Sequence, residues 1–370
     1  MKSMPHKNPM KIMHVETGRH FYGGAQQVIW LIEGLAARGV ENLLVCPPNS
    51  GIDKVARDAA IPVCNIRCAG DLDFRFAWQL GRLARREHPD IVHCQSRRGA
   101  DFLGGQVLAA CGVPAVLSRR VDNRDSGLLA TWRYRPFRKI IAISEHIATV
   151  LVDCGIDRER LTVIRSAVDV NSINATPDCA AFREEFEIDD ADFVIAVIAQ
   201  FIPRKGHRHL FDVIPNLRES HPNIRVLLFG SGPHEAHLRE LATRLNLFGT
   251  VQFVGFRDDL DDYLACFDLL VHPAEREGLG VAMLKAAAAG VAVLAFDTAG
   301  AREAVVHGKT GVLVPPENTT SLQKAIALLI DESKMRRELG KTGQQRMKDE
   351  FRVDTMIDRH IGLYESVING

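Results

Sequence analysis

Short apolar runs alternate with helical patterns along nearly the whole chain, and this alternation constrains the fold more than any other feature. In the first half, helical segments separate five strand-like runs. These runs begin at Lys11, Asn42, Ile91, Ala115 and Ile140. Strands that are separated by helices form parallel sheets covered on both faces. The first half therefore predicts one doubly wound α/β unit.

The same pattern restarts in the second half of the chain. Five further strand-like runs begin at Phe193, Arg225, Val251, Leu269 and Val291. The stretch 169–192 between the two halves is polar and lacks a sustained apolar period. We therefore predict two Rossmann-like domains, 1–168 and 169–370, with ligands bound in a cleft between them.

Length and composition are those of a globular protein with two domains. The 370 residues allow two cores of ordinary size. No run approaches the ~20 apolar residues of a membrane span, and the first ten residues lack the apolar core of a secretion signal. These features predict a cytoplasmic protein. The eight cysteines are scattered, which predicts reduced, buried thiols, and the dispersed histidines give no ligand spacing for a structural metal.

The most informative motif is the stretch from Glu277 to Gly290, which reads EGLGVAMLKAAAAG. It places an acidic residue and two glycines before a helix of small residues, directly after a strand-like run. The first turn of such a helix offers free backbone N–H groups to a phosphate. The carboxylate of Glu277 can accept hydrogen bonds from sugar hydroxyls. Together these groups predict a nucleotide-sugar site.

This stretch resembles the E-x7-E signature of family 4 retaining glycosyltransferases, which have the GT-B fold. Glu277, Gly278 and Gly280 match that signature, and Leu279 lies between the glycines. In the family the first glutamate contacts the transferred sugar and the second holds the ribose. The resemblance makes Glu277 a catalytic residue and 278–280 donor contacts. Lys285 stands at the second glutamate and cannot accept from ribose hydroxyls, so we expect altered or weaker nucleotide contact there.

Two further loops resemble donor-binding parts of the same family. In the loop PRKGH, Lys205 is predicted to neutralise the pyrophosphate and assist catalysis, with extra charge from Arg204. Gly23 and Gly24 resemble the glycine loop that covers the donor diphosphate. Gly230, in the turn that follows a strand-like run, resembles a family turn that contacts the nucleotide base.

The first half supplies the candidate acceptor contacts. Gln95 occupies the strand end where the family often has an active-site histidine, and Arg119 and Arg120 end the next strand-like run. Two arginines there suit an acceptor phosphate or carboxylate. Residues 1–168 carry 24 Lys and Arg against 16 Asp and Glu, while the remainder carries 22 against 30. This surplus indicates either a solvated basic face or attraction to an anionic acceptor or membrane.

The resemblance implies a metal-independent, retaining glycosyltransferase that needs no cofactor beyond its nucleoside-diphosphate sugar. The acceptor would be a glycan or glycolipid, in lipopolysaccharide or cell-surface polysaccharide biosynthesis, with peripheral contact at the inner face of the plasma membrane. No nucleic-acid-binding motif accompanies the basic residues. In the family, the final helical segment, within 353–370, packs back onto the first domain.

Two alternatives stay open at the level of sequence. Departures from the family pattern at Gln95, Gln200 and Lys285 suit a non-catalytic GT-B protein that binds a glycan or a partner. A nucleotide-sugar epimerase can share the GT-B architecture. That chemistry needs acids and bases on both faces of the sugar ring, and the chain shows no obvious set.

Overall fold

A computed structural model describes residues 9–97, 99–125, 127–173 and 176–370 of the chain. The chain divides into two compact units. The first combines Met1–Ser166 with Val353–Gly370, and the second is Ala167–Arg352. The sequence pattern places the division after residue 168.

The first unit is built on a parallel sheet of seven strands in the order β3-β2-β1-β4-β5-β6-β7. The strands are β1 Lys11–Val15, β2 Glu41–Cys46, β3 Val63–Asn65, β4 Ile91–Cys94, β5 Ala115–Arg119, β6 Lys139–Ala142 and β7 Leu161–Val163. Strands β4 and β5 are buried along their whole length, because helices cover both faces of the sheet.

Among the residues that the structure describes, seven α-helices complete the first unit. They are α1 Gly23–Ala36, α2 Gly51–Asp58, α3 Phe74–Glu87, α4 Gly105–Ala110, α5 Gly127–Tyr134, α6 Glu145–Asp153 and α14 Val353–Asn369. Several begin at side chains that accept a first-turn N–H, as Ser50, Asp73 and Ser144 do for α2, α3 and α6. The final helix α14 packs on α1, where the Ile357 side chain lies against Gly34.

The second unit has a parallel sheet of six strands in the order β10-β9-β8-β11-β12-β13. These are β8 Phe193–Ile198, β9 Ile224–Phe229, β10 Val251–Gly255, β11 Leu269–His272, β12 Ala292–Phe296 and β13 Gly311–Val314. The helices are α7 Cys179–Glu185, α8 His207–Ser220, α9 Glu235–Arg244, α10 Val281–Ala288, α11 Ala299–Ala304, α12 Thr319–Asp331 and α13 Ser333–Glu350. Apolar side chains from the sheet and from α8 and α12 form one core cluster.

The predicted fold class is confirmed, since each unit is a doubly wound α/β structure with a wholly parallel sheet. The sequence analysis did not predict the short strands β3, β7 and β13. Strands β3 and β7 have three residues each, which is too few to show a period. Within the described part of the chain, no helix is long and apolar enough to cross a membrane.

The prediction that all cysteines are reduced is wrong for one pair. Cys179 at the start of α7 and Cys266 before β11 form a disulfide, with Cα atoms 5.4 Å apart. The two residues are 87 positions apart in the sequence. Only the packing of α7 against the chain before β11 brings their sulfurs together, so spacing along the sequence gave no signal.

Candidate active site

Glu277 lies just beyond the carboxyl end of β11, at the centre of a small polar cluster in the second unit. One carboxylate oxygen, Oε2, accepts a hydrogen bond from His272 Nε2 at 2.9 Å and forms an ion pair with Lys205 Nζ. The other, Oε1, accepts the backbone N–H of Gly278 at 3.1 Å. Lys205, His272 and Glu277 are called the Glu277 cluster below.

The electrostatics of this cluster favour an ionised Glu277. Burial alone would raise the pKa of the carboxyl, but the hydrogen bond from His272 and the charge of Lys205 outweigh it and hold that pKa well below its usual range. Burial lowers the pKa of His272, although its bond to Glu277 acts in the opposite direction. The cluster therefore combines a carboxylate, an ammonium group and a neutral imidazole.

Local backbone geometry delivers Lys205 to this position. A single 3-10 turn, Pro203–Lys205, follows β8 and ends at Gly206, whose φ is +69°. A β-carbon at Gly206 would overlap the carbonyl of Pro273, so only glycine allows this loop to lie against the end of β11. The backbone N–H of Glu275 donates to the carbonyl of Arg204 at 3.0 Å. The two loops are thereby held together.

Arg204 also turns toward the loop that carries Glu277. Its Nη1 donates to the carbonyl of Arg276 at 3.3 Å. In the same loop, the Glu275 carboxylate accepts hydrogen bonds from Arg208 at 2.9 Å and from His209 at 3.0 Å, both on α8. The predicted donor-binding cations Arg204 and Lys205 are therefore both placed beside the Glu277 loop.

Helix α10 begins directly after the Glu277 loop. Its N-cap, Gly280, has a φ of +80°, and a β-carbon there would overlap the Met283 side chain. No side chain caps the first turn of α10. The N–H of Met283 donates to the Gly280 carbonyl at 2.9 Å, and the N–H groups of Val281 and Ala282 stay available to an acceptor from outside the helix.

Lys285, one turn further along α10, is paired with a carboxylate that the sequence reading missed. Its Nζ lies 2.8 Å from Oδ1 and 2.7 Å from Oδ2 of Asp261. Asp261 belongs to the 3-10 turn Leu260–Asp262, which follows β10. The only sequence signal for this residue is the acidic run 258–262, which does not single out one carboxylate.

Gly230 lies directly after β9, in a turn that packs on the chain following β8. Its N–H donates to the carbonyl of Gly255 at 2.8 Å, which ties the ends of β9 and β10 together. In the same turn Ser231 accepts the N–H of Phe201 at 3.0 Å. Its predicted contact with the nucleotide base stays a prediction.

The first unit brings three of its predicted residues together around the start of α1. Gly23 is the first residue of α1, and a β-carbon at Gly24 would lie 3.4 Å from Arg120 Cδ. Arg120 Nη2 donates to Gln95 Oε1 at 2.8 Å. The glycine loop, the end of β4 and the end of β5 therefore meet at one edge of the sheet.

Gln95 itself is fully buried in a polar network. Its Nε2 lies 2.9 Å from His93 Nδ1 and 3.3 Å from His14 Nδ1, and His93 Nδ1 lies 2.7 Å from Tyr364 Oη of α14. Burial lowers the pKa of His93 well below its ordinary value. This histidine belongs to the core of the first unit.

Arg119 is placed differently from its neighbour Arg120. It is 1% exposed, donates to the carbonyl of Asn123 and lies 3.5 Å from the Asp125 carboxylate. An acceptor contact requires an accessible guanidinium group, which this burial does not provide. Arg120 is the member of the pair that keeps partial exposure.

Two family matches together span most of the chain. Residues 179–346 match the family described as glycosyl transferases group 1, and residues 22–172 match glycosyltransferase family 4. The first region contains the Glu277 cluster, and the second contains the predicted glycine loop at Gly23 and Gly24.

The chain is a family 4 glycosyltransferase.

Curated relatives of this glycosyltransferase include a lipopolysaccharide core biosynthesis enzyme and a mannosyltransferase. It is 25% identical over 96% of its length to the lipopolysaccharide core biosynthesis glycosyltransferase LpsE of Rhizobium meliloti, of which the match covers 99%. It is 32% identical over 54% of its length to a GDP-mannose-dependent phosphatidylinositol monomannoside mannosyltransferase of Corynebacterium glutamicum, of which the match covers 55%.

Among solved structures, the glycosyltransferase resembles Anabaena Alr3699/HepE in complex with UDP and glucose. The TM-score is 0.88 at 21% identity, and the match covers 96% of this chain and 100% of the other. At this identity the likeness shows a shared fold. It agrees with the GT-B architecture that the sequence motifs indicate.

Proposed function

We propose that this glycosyltransferase moves a hexose-type sugar from a nucleoside-diphosphate sugar to an anionic glycan or glycolipid, with retention at the anomeric carbon. The Glu277 cluster is the observation that carries this proposal. It places an ionised carboxylate and a lysine side by side at the end of a central strand, beside an uncapped helix start.

Each member of the cluster has a distinct role in this proposal. Glu277 accepts hydrogen bonds from the hydroxyls of the transferred sugar and so orients the ring. Lys205 and Arg204 stabilise the negative charge that develops on the departing diphosphate, as do the first-turn N–H groups of α10. His272 holds the Glu277 carboxylate in position through its 2.9 Å hydrogen bond.

Retention in this proposal proceeds without a glycosyl-enzyme intermediate. A covalent mechanism needs a second carboxylate at close range. Glu277 is the one carboxylate among the cluster residues, and the nearby Glu275 is bound by Arg208 and His209. In this proposal the acceptor hydroxyl attacks the face of the sugar from which the diphosphate leaves, and its proton passes to an oxygen of the departing diphosphate.

Fixed cations replace a metal ion in the proposed reaction. Lys205 and Arg204 lie on the same side of the Glu277 loop and supply positive charge without further cofactors. We expect turnover to be unchanged by EDTA. Loss of turnover in EDTA with restoration by a divalent cation would contradict this part of the proposal.

The acceptor is proposed to belong to lipopolysaccharide or another cell-surface polysaccharide. LpsE bears the name of a lipopolysaccharide core enzyme, and the basic surplus of residues 1–168 suits an anionic acceptor. The protein would then act in the cytoplasm, in peripheral contact with the inner face of the plasma membrane.

Calorimetric titration with UDP, GDP and ADP tests the donor class first. HepE was solved with UDP and glucose, and the Corynebacterium enzyme depends on GDP-mannose, so UDP and GDP are the leading candidates. Binding of one nucleotide would be followed by transfer assays with its sugar derivatives, and NMR of the product would give the anomeric configuration. If no nucleotide binds, the proposal is rejected.

A further inference from the structure

Helix α3 of the first unit exposes two large aromatic side chains that folding does not require. Phe74 is 72% exposed and Trp78 is 62% exposed, and Leu72 in the preceding loop is 68% exposed. The helix packs on α4 and on the turn before it, and the residues of its other face are buried. That face contains Phe76, Ala77, Leu80, Leu83 and Ala84.

The exposed residues of α3 form one continuous stripe. Positions 74, 78, 82 and 85 fall within a narrow arc at 3.6 residues per turn, so Phe74 and Trp78 share a face with Arg82 and Arg85. The Arg82 guanidinium carbon lies 5.7 Å from the centre of the Trp78 ring. The stripe is aromatic at its N-terminal end and basic at its C-terminal end.

Two carboxylates beside this stripe already have partners within the protein. Asp73 accepts the N–H groups of Phe76 at 3.0 Å and Ala69 at 2.8 Å, which makes it the N-cap of α3. Asp71 accepts the N–H of Gly99 at 3.0 Å and lies 3.4 Å from Arg133.

The arginines of the stripe are not neutralised by the protein. Within the described residues, neither Arg82 nor Arg85 has a carboxylate partner within 4.0 Å. The adjacent Glu87 pairs instead with Lys11 at 3.0 Å and with Arg86 at 2.9 Å. Arg82 and Arg85 therefore keep their full charge for a partner from outside the chain.

A groove of about 580 Å³ runs along the stripe, and Arg82 and Arg85 line it together with the aromatic residues. Phe74 and Trp78 form one wall, and Leu103 and Val107, from α4 and the turn before it, form part of the other. Three large apolar side chains within seven residues, next to an apolar groove, exceed the scattered exposure that is normal on a protein surface.

We propose that this face of α3 docks onto an anionic phospholipid bilayer. Aromatic side chains enter the boundary between headgroups and acyl chains, and arginines bind the lipid phosphates, so the stripe matches both layers of such a surface. The inference deepens the proposed membrane contact of the enzyme by assigning the surface that makes it. It rests on the proposed function only for the biological source of the lipid.

Fluorescence of Trp78 tests the proposal directly, because the chain contains three tryptophans. A protein with Trp30→Phe and Trp132→Phe retains Trp78 alone, and its matched control with Trp78→Phe and Trp132→Phe retains Trp30 alone. Both are mixed with phosphatidylcholine vesicles, with or without about one-third phosphatidylglycerol, that carry brominated acyl chains. We expect a blue shift and quenching of Trp78 with the anionic vesicles, reversed by high salt, and no quenching of Trp30.

Charge reversal provides the second arm of the test. Arg82→Glu with Arg85→Glu is expected to weaken vesicle binding at least 25-fold, since each basic residue near an anionic surface strengthens binding about fivefold. The control variant Lys334→Glu with Lys341→Glu changes net charge equally on exposed positions of α13. It is expected to weaken binding less than about fivefold.

Three outcomes would overturn the proposal. The first is the absence of vesicle binding, and the second is binding in which Trp78 stays unquenched. The third is a change in Trp78 emission that follows protein concentration without lipid, which would assign this face to contact with a second copy of the chain. Nucleotide titration does not involve α3. These results therefore do not test the proposed donor chemistry, which is tested separately by that titration.

Discussion

Lys285 Nζ lies 2.7 Å from Oδ2 of Asp261, so the cation that replaces the second motif glutamate is neutralised by a carboxylate from another segment. Asp261 comes from the turn after β10, and Lys285 is on α10. The carboxylate beside Lys285 is therefore carried by a residue outside the motif. We infer that Asp261 supplies the acceptor atoms for the ribose and that Lys285 positions them.

The first prediction concerns Asp261→Asn. We expect its affinity for the preferred nucleoside diphosphate to fall about tenfold, the size of one lost charge-assisted hydrogen bond, while its affinity for inorganic pyrophosphate stays unchanged. Calorimetric titration measures both. The pair is 22% and 27% exposed in its side chains, so folding stability should change by less than about 1 kcal/mol.

Lys285→Glu, combined with Asp261→Lys, is the matched control. The single change Lys285→Glu puts two carboxylates side by side and should weaken nucleotide binding by like-charge repulsion. The double exchange restores the ion pair and presents the carboxylate from α10. It should recover most of the affinity, and equal weakening in the single and double variants would contradict the assigned role.

The second prediction concerns the Glu277 cluster. Glu277→Gln and Lys205→Met should each lower kcat by about 10²–10³, because each removes a group that is positioned for the transition state. The double variant should be little worse than either single one, since the two side chains act as a unit. Steady-state kinetics with the identified donor measures this, and additive losses would argue for independent roles.

The same pair sets the pH dependence of the reaction. Lys205 and His272 hold the pKa of Glu277 below its usual range, so the wild-type carboxylate is ionised throughout the neutral and mildly acidic range. Removing the ammonium group should raise that pKa. In Lys205→Met the residual rate should therefore begin to fall at a higher pH than in the wild type. An unshifted acid limb would mean that another group titrates.

The third prediction concerns buried histidines of the first unit. Burial lowers the pKa of His14 to about 4 and of His360 to about 3, against an ordinary value of 6.5. Well above pH 6.5 both residues are neutral in the folded and unfolded states and contribute nothing to the pH dependence. Below it, the unfolded state binds protons that the folded state excludes, so the free energy of unfolding falls as pH falls toward 4.

Urea unfolding between pH 7.5 and 5, followed by tryptophan fluorescence, measures this effect. All three tryptophans, Trp30, Trp78 and Trp132, belong to the first unit, so the signal reports the unit that holds both histidines. We expect the free energy of unfolding to fall by roughly 1 kcal/mol for each histidine with each unit that the pH is lowered. His14→Gln should reduce the slope of the unfolding free energy against pH by the contribution of about one bound proton. An unchanged slope would exclude His14 as a contributor.

The fourth prediction concerns the Cys179–Cys266 disulfide of the second unit. Its 87-residue separation closes a long loop, so Cys179→Ser with Cys266→Ser should lower the free energy of unfolding by about 2–4 kcal/mol. Hydrogen exchange of the second unit measures the change. Cys154→Ser, which alters a free thiol of the first unit, is the control and should leave the second unit unchanged. Equal exchange in all three proteins would mean that the bond contributes no stability.

Sequence alone determined the fold class and the loops that are predicted to bind the donor. Strand-like runs separated by helices can be buried only in parallel sheets covered on both faces, and the observed sheets follow that rule. Glycines before Val281 and after Lys205 mark backbone turns whose geometry is local. The loops that hold Glu277 and Lys205 could therefore be predicted from the sequence.

Tertiary structure alone decided which distant groups meet. The pairing of Lys285 with Asp261, the bond between Cys179 and Cys266, and the burial of Arg119 depend on packing between segments that are far apart or face the core. A charge or a thiol has the same appearance in the sequence whether it is exposed or buried. Its partner and its environment are set by the fold, because ion pairs, disulfides and desolvation depend on distance in space.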